Sequence, residues 1–172
     1  MKQVGRGKIS VLAVFPVKMA PAPPALGLPP GTKVPMQSVP TSVVVGPDGA
    51  LYVSELSSVG VGVGVARVRR VVPGRSPTIY ADGLIALTDL AFDRKGRLLV
   101  VTFAEDGIAA PPSDGVLTRI EKNGKKTVLA SAGLAQATGL AIDGDDVYIV
   151  NHGTSPGTGK PSGSIEKLTV RN

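Results

Sequence analysis

Apolar and polar positions fall into short runs along this chain, and one arrangement of them recurs three times. In Thr41–Val53 a valine run, Val43-Val44-Val45, meets the turn residues Gly46-Pro47-Asp48-Gly49 and returns as Leu51-Tyr52-Val53. Thr88–Val100 repeats this around Asp93-Arg94-Lys95-Gly96, and Thr138–Val150 repeats it around Asp143-Gly144-Asp145-Asp146. The spacing is 47 positions from Thr41 to Thr88 and 50 from Thr88 to Thr138. Runs this short, bounded by Pro, Asp and Gly, are strands joined by tight turns.

Each pair of strands, A and B, is followed by a longer loop and a third strand, C. The pattern places strand B at Leu51–Ser54, Leu98–Thr102 and Val147–Val150, and strand C at Ala66–Val72, Gly115–Glu121 and Ser164–Val170. Strand C mixes apolar with charged positions, as in Arg67-Val68-Arg69-Arg70-Val71, which suits a strand nearer an edge. A fourth strand, D, follows at Thr78–Ala81 and Thr127–Ala130, and the third repeat lacks it. Repeats of about this period built from four short strands predict β-propeller blades. The expected fold is all-β: a partial β-propeller of about three four-stranded antiparallel blades, at 40–84, 87–134 and 137–172, within one domain spanning 1–172. Three blades are half of a six-bladed-type ring, and their outer faces stay open.

Ahead of the blades, residues 8–15 read as a lone strand and residues 16–39 as an extended, Pro-rich surface loop, because proline suits neither a helix interior nor a central strand. Lys2, Arg6 and Lys8 before Ile9–Phe15 imitate a signal peptide, but Pro16 and Lys18 end the apolar run at once. No stretch approaches the ~20 apolar residues of a membrane-spanning helix.

Composition narrows the chemistry. The 172 residues suffice for one core burying roughly 70% of the unfolded surface. Aromatics are only 3% of the chain, so Val, Leu, Ile and Ala must fill that core. There is no cysteine, which excludes disulfides, thiolate metal sites and a Cys nucleophile. The net charge of +6 is spread over turns and strand C positions, with no cluster interleaved with aromatic platforms. Nucleic acid is therefore not the expected partner.

The quoted repeats, together with "ISVLAVFP" at Ile9–Pro16, "MQSVPTSVVV" at Met36–Val45, "GPDGALYVSEL", "ARVRRVVPG", "TDLAFDRKGRLLV" and "NHGTS", resemble the C-terminal half of ScyD/ScyE family proteins. These are bacterial β-propeller proteins with NHL-like repeats. The likeness covers nearly the whole chain from Lys8, and family members carry further N-terminal blades. It implies a six-bladed-type propeller, usually exported (extracellular or periplasmic), with no established reaction.

Propeller geometry gathers the B–C and D–A loops on one face. The B–C loops, 57–65, 104–114 and 152–162, are long, which favours that face for binding. Its candidate residues are Glu55, Glu105, Asp106, Asn151 and His152, with Thr41, Thr88, Asp89 and Thr138 beside the channel mouth. Each has a plainer reading: the recurrent threonines as bonds to a neighbouring blade or backbone, Asp89 as an acceptor of backbone N–H groups, Glu55 and Glu105 as solvated strand ends, and His152 as a loop residue. Gly60, Gly62 and Gly64 join two strands, so they lack the strand-to-helix context of a dinucleotide fingerprint. Asp143, Asp145 and Asp146 lack the glutamate that completes an EF-hand loop.

The function these readings favour is a non-catalytic binding or scaffold protein with no catalytic residue, no cofactor and no metal. The alternative is a Ca²⁺- or Zn²⁺-dependent hydrolase or lactonase. It is weakened because Thr41, Thr88 and Thr138 stand where related-looking enzymes place Asp or Asn, although Glu55, Asp89 and Asn151 offer oxygens for a Ca²⁺ site. The expected partners are a second copy, with residues 8–15 of each chain completing the other's third blade, or further upstream blades, together with a small-molecule or protein ligand.

Overall fold

The structure, a computed structural model, describes residues 7, 9–22, 26–56, 65–107, 113–154 and 163–170. Among these residues there is no α-helix. Thirteen strands form four antiparallel sheets of two to four strands. A hairpin of β1 (Lys18–Pro21) and β2 (Lys33–Met36) precedes a first sheet of β3 (Pro40–Val45), β4 (Leu51–Glu55), β5 (Ala66–Val71) and β6 (Thr78–Leu84), paired in chain order. The second sheet repeats this with β7 (Leu87–Phe92), β8 (Leu98–Thr102), β9 (Leu117–Ile120) and β10 (Lys126–Ala130). The third contains β11 (Gly139–Asp143), β12 (Asp146–Asn151) and β13 (Ser164–Thr169).

The turns follow their chemistry. Gly49 and Gly96 close the first two A–B turns at positive φ, 76° and 71°, each donating its N–H to the residue three positions back, Gly46 and Asp93. In the third sheet Asp143 pairs directly with Asp146 across a two-residue turn with Gly144 at φ 65°. A positive φ carries a steric penalty for residues with a Cβ, which is why glycine recurs here.

Two apolar clusters join the sheets. Tyr52, Ala66 and Val68 of the first sheet meet Leu90, Leu98, Val100 and Ile120 of the second. Tyr52 also stands edge-on to Tyr80 and Phe92, ring centroids 4.8 Å apart in both pairs. Leu99, Val101 and Leu117 on the other face of the second sheet meet Leu140, Ile142, Val147, Ile149 and Leu168 of the third. β8 is thus buried along its whole length. This explains why Leu98-Leu99-Val100-Val101 is continuously apolar instead of alternating, since both of its faces are covered.

The N-terminal region departs from expectation twice. Residues 9–15 form no strand: they lie against β3 and β4, where Ser10–Ala13 and Phe15 face Pro40–Val43, Leu51, Val53 and Val71 across a groove of about 490 Å³. A strand needs a free sheet edge to bond, and this segment lies on a sheet face. Residues 16–39 are not simply an extended loop, since they contain the β1–β2 hairpin, in which Lys18 pairs with Met36 and Pro21 with Lys33. Prolines are tolerated there because half the N–H groups of a two-stranded ribbon point outward. Pro29-Pro30-Gly31-Thr32 turns the chain, with Thr32 N–H donating to the Pro29 carbonyl and Gly31 at φ 82°. Buried Ala20 and Met36 anchor the hairpin.

Candidate functional site

β7 ends the first inter-sheet connection and begins the second, and the polar residues at the starts of the inner strands are spent on joining sheets. Thr41 Oγ1 donates to the Leu87 carbonyl at 2.9 Å, and Thr88 Oγ1 donates to the Ala137 carbonyl at 2.9 Å. Asp89 spans the next junction. Its Oδ1 accepts from the Leu90 N–H at 2.8 Å, and its Oδ2 from the Leu140 N–H of the third sheet at 2.7 Å. Both oxygens of that carboxylate are engaged by backbone. Thr138 occupies the same repeat position as Thr41 and Thr88, but its hydroxyl makes no such bond among the described residues.

Glu55 is not the solvated strand end the sequence suggested. It is 1% exposed and lies between Lys18 of β1, whose Nζ donates to Oε2 at 2.6 Å, and Arg69 of β5, whose Nε donates to Oε1. Burial pushes the Glu55 carboxyl up, but the bonds from Arg69 and Lys18 outweigh it and hold the group below its ordinary value. Burial likewise pushes the Lys18 ammonium down, and there the attraction of Glu55 does not offset it, because Arg67 and Arg69 add to the loss. Arg69 is itself 5% exposed, with its guanidinium carbon 5.4 Å from the centroid of the Phe15 ring. Its Nη2 is buried without a hydrogen bond among the described residues. Sequence reading missed Lys18, Arg69 and Phe15. The signal was there in β5, whose Ala66-Arg67-Val68-Arg69-Arg70-Val71 puts Arg69 opposite Val53 on one face of the sheet.

Asn151 takes the position in the third sheet that Glu55 and Thr102 hold in the others. It is buried, its Nδ2 donates to the Gly133 carbonyl at 2.7 Å, and its Oδ1 has no hydrogen bond among the described residues. His152 follows at φ 56°, its N–H donating to the Ala135 carbonyl at 2.7 Å. Gln136 has φ 50°, and its Oε1 accepts from Thr154 Oγ1 at 3.2 Å. Positive φ at Gln136 and His152 is backbone strain held by the surrounding hydrogen bonds. Asn151, His152, Gln136 and Thr154 therefore form a polar shelf at the end of the third sheet, and Gln136 and Thr154 are additions to the candidates read from sequence.

The remaining candidates lie apart. Glu105 is exposed and lines a groove of about 210 Å³ with Thr102, Thr118 and Lys126. Asp106 is exposed, its N–H donating to Ser113 Oγ at 3.1 Å. Gly60, Gly62 and Gly64, and most of the B–C loops, lie outside the described residues. Among the described residues no group of three or more His, Asp or Glu side chains is placed to hold a metal ion. Asp143 and Asp146 pair across their turn, and Asp146 bonds Lys167 at 2.6 Å and Thr169 at 2.7 Å.

Chemically, the hydroxyls of Ser164 and Thr169, on the exposed third strand of the last sheet, donate to Glu166 and Asp146, and the two carboxylates nearest the inner strands, Glu55 and Asp89, are committed to structure. No helix among the described residues is long and apolar enough to cross a membrane. Neither a known protein family nor a curated protein matches this chain.

Proposed function

We propose that the three sheets are blades of a β-propeller-type protein of the ScyD/ScyE kind, and that it works as a non-catalytic binding or scaffold module. The observation that carries this reading is the use made of the inner-strand polar groups. Thr41, Thr88 and Asp89, which a channel-mouth enzyme would turn toward a metal or substrate, are bonded instead to the backbone of the next sheet. What remains for a ligand is the polar shelf of His152, Gln136 and Thr154 beside the buried Asn151. A half ring also has open faces, so a second copy or further blades belong to this reading.

Calcium titration by calorimetry, with parallel assays on lactone and ester substrates in the presence of Ca²⁺ or Zn²⁺, tests it. The expected result is no saturable Ca²⁺ site and no hydrolysis. One-to-one Ca²⁺ binding, or turnover, that disappears in a folded Asp89→Asn variant would establish the metal-dependent hydrolase instead.

A further inference from the structure

Between the first and second sheets the apolar packing gives way to an open groove. Ala66, Val68 and Leu84 of the first sheet meet Leu98, Val100 and Ile120 of the second. Beside that packing lies the groove of about 210 Å³ that Glu105 lines. Its walls are apolar, from Leu84, Ile85, Val116 and Val128, and its polar groups come from Thr102, Thr118, Glu105 and Lys126.

The two threonines are out of keeping with a plain structural role. Thr118 stands opposite Val100, and Thr102 lies two residues beyond Val100, so both share its face toward the first sheet. They are 9% and 6% exposed, they line the groove, and neither hydroxyl has a hydrogen-bond partner among the described residues. The matching positions of the first sheet hold Arg69 and Glu55, which bond each other. A hydroxyl nearly out of water and unpartnered costs free energy that a valine of the same shape would not. Two of them opening on one groove are explained by a ligand that bonds them.

Glu105 and Lys126 put opposite charges on the same groove without pairing with each other. Lys126 Nζ reaches from β10 to donate to the Asp82 carbonyl of β6, beside Gly83, where a Cβ would lie 3.4 Å from it. An ammonium has three protons, so two remain for a ligand. We propose that this groove binds a small zwitterionic amino acid with an aliphatic side chain. The ligand carboxylate accepts from Lys126 and from the Thr102 and Thr118 hydroxyls. The ligand ammonium donates to the Glu105 carboxylate, and the aliphatic part lies on Leu84, Ile85, Val116 and Val128. Bonds between charged partners are the strong ones, and apolar walls with a few convergent polar groups are how small-molecule sites are built. At about 210 Å³ the groove is smaller than the roughly 300 Å³ where sites for drug-sized ligands begin, which suits a molecule of leucine's size. No aromatic side chain lines it, so a flat ring finds no surface to stack on.

Isothermal titration calorimetry of the full chain with L-leucine tests the site. Saturable one-to-one binding is expected. Isocaproate, which lacks the ammonium, and leucinamide, which lacks the carboxylate, should each bind at least about tenfold more weakly, the worth of one hydrogen bond to a charged group. Thr102→Val/Thr118→Val keeps both side-chain shapes, and Glu105→Gln alters only an exposed group. Both variants are expected to keep the wild-type far-UV circular dichroism and to lose at least about tenfold in leucine affinity. If the threonine pair proves necessary for folding, Glu105→Gln alone decides. A wild type with no saturable leucine binding overturns the proposal. So does isocaproate binding as tightly as leucine, which marks a site for apolar acids, or a leucine affinity that survives the substitutions. This inference rests on the binding-module reading, and the two fail separately: hydrolysis in the Ca²⁺ assays would sink that reading without changing the leucine titration, and a protein blind to leucine would sink the groove alone.

Discussion

Glu55→Ala is the substitution whose cost the structure defines best. The carboxylate is 1% exposed and accepts from both Lys18 and Arg69. Removing it leaves a guanidinium that is 5% exposed and stacked on the Phe15 ring, without its carboxylate. Breaking a buried ion pair from one side costs about 3–5 kcal/mol, because the surviving charge stays desolvated. Against a total stability of roughly 5–15 kcal/mol, that loss lowers Tm by roughly 6–20 °C for a domain of this size. Urea unfolding followed by circular dichroism measures it. Replacing the whole triad, as Lys18→Met/Glu55→Leu/Arg69→Met, is expected to restore stability to within about 1 kcal/mol of wild type or beyond, since no charge is then buried alone. A Glu55→Ala cost below about 1 kcal/mol, or strict additivity of Glu55→Ala with Arg69→Met, would refute the reasoning. The pH dependence gives an independent check. The folded-state value of Glu55 lies below its ordinary 4.5, so the unfolded chain takes up the proton first as pH falls. The stabilisation is complete above 4.5 and is lost as pH falls from there through the folded-state value. Glu55→Gln should flatten that part of the stability profile.

Other perturbations read other parts of the frame. Leu98→Ala, in the fully buried β8, should cost about 2–5 kcal/mol in the same urea assay. Asp89→Ala removes the acceptor for both the Leu90 and Leu140 N–H groups and should cost about 1.5–3 kcal/mol, with faster hydrogen exchange at Leu140. Gly115→Ala puts a Cβ onto the carbonyl oxygens of Thr102 and Leu134, so a loss of about 1–3 kcal/mol is expected. Asp93 is pushed up by burial but held lower overall by the N–H and guanidinium of Arg97, so Asp93→Asn should remove a second loss of stability below the ordinary 3.8.

The repeated strands were legible in the sequence because tight turns and short apolar runs are local signals. β8 coincides with its expected span, and most other strands differ by one or two residues at an end. The β1–β2 hairpin was hidden by its prolines, although Pro29-Pro30-Gly31-Thr32 carries the Pro-Gly centre of a tight turn. The strand reading of residues 8–15 failed because an apolar run shows that a segment will be covered, not whether its backbone finds a sheet edge. The candidate site was legible in part. Repetition singled out Thr41 and Thr88, whose hydroxyls donate to the Leu87 and Ala137 carbonyls of the next repeat. The environment of Glu55 could not be read, because Lys18 and Arg69 reach it from 37 and 14 positions away. Whether a terminal glutamate is solvated or enclosed depends on those contacts, not on its neighbours in the chain.

The hydroxyl and carboxylate links between sheets have a consequence for synthesis. Thr41 reaches 46 positions ahead, Thr88 reaches 49 and Asp89 reaches 51, so each link spans about one repeat. All-β proteins usually fold slowly because distant segments must meet before any contact rewards them. Here a sheet leaving the ribosome needs only the next repeat to be made before it can lock. The nascent chain can therefore assemble in translation order, one sheet at a time, and the exposed apolar face moves along with the growing end.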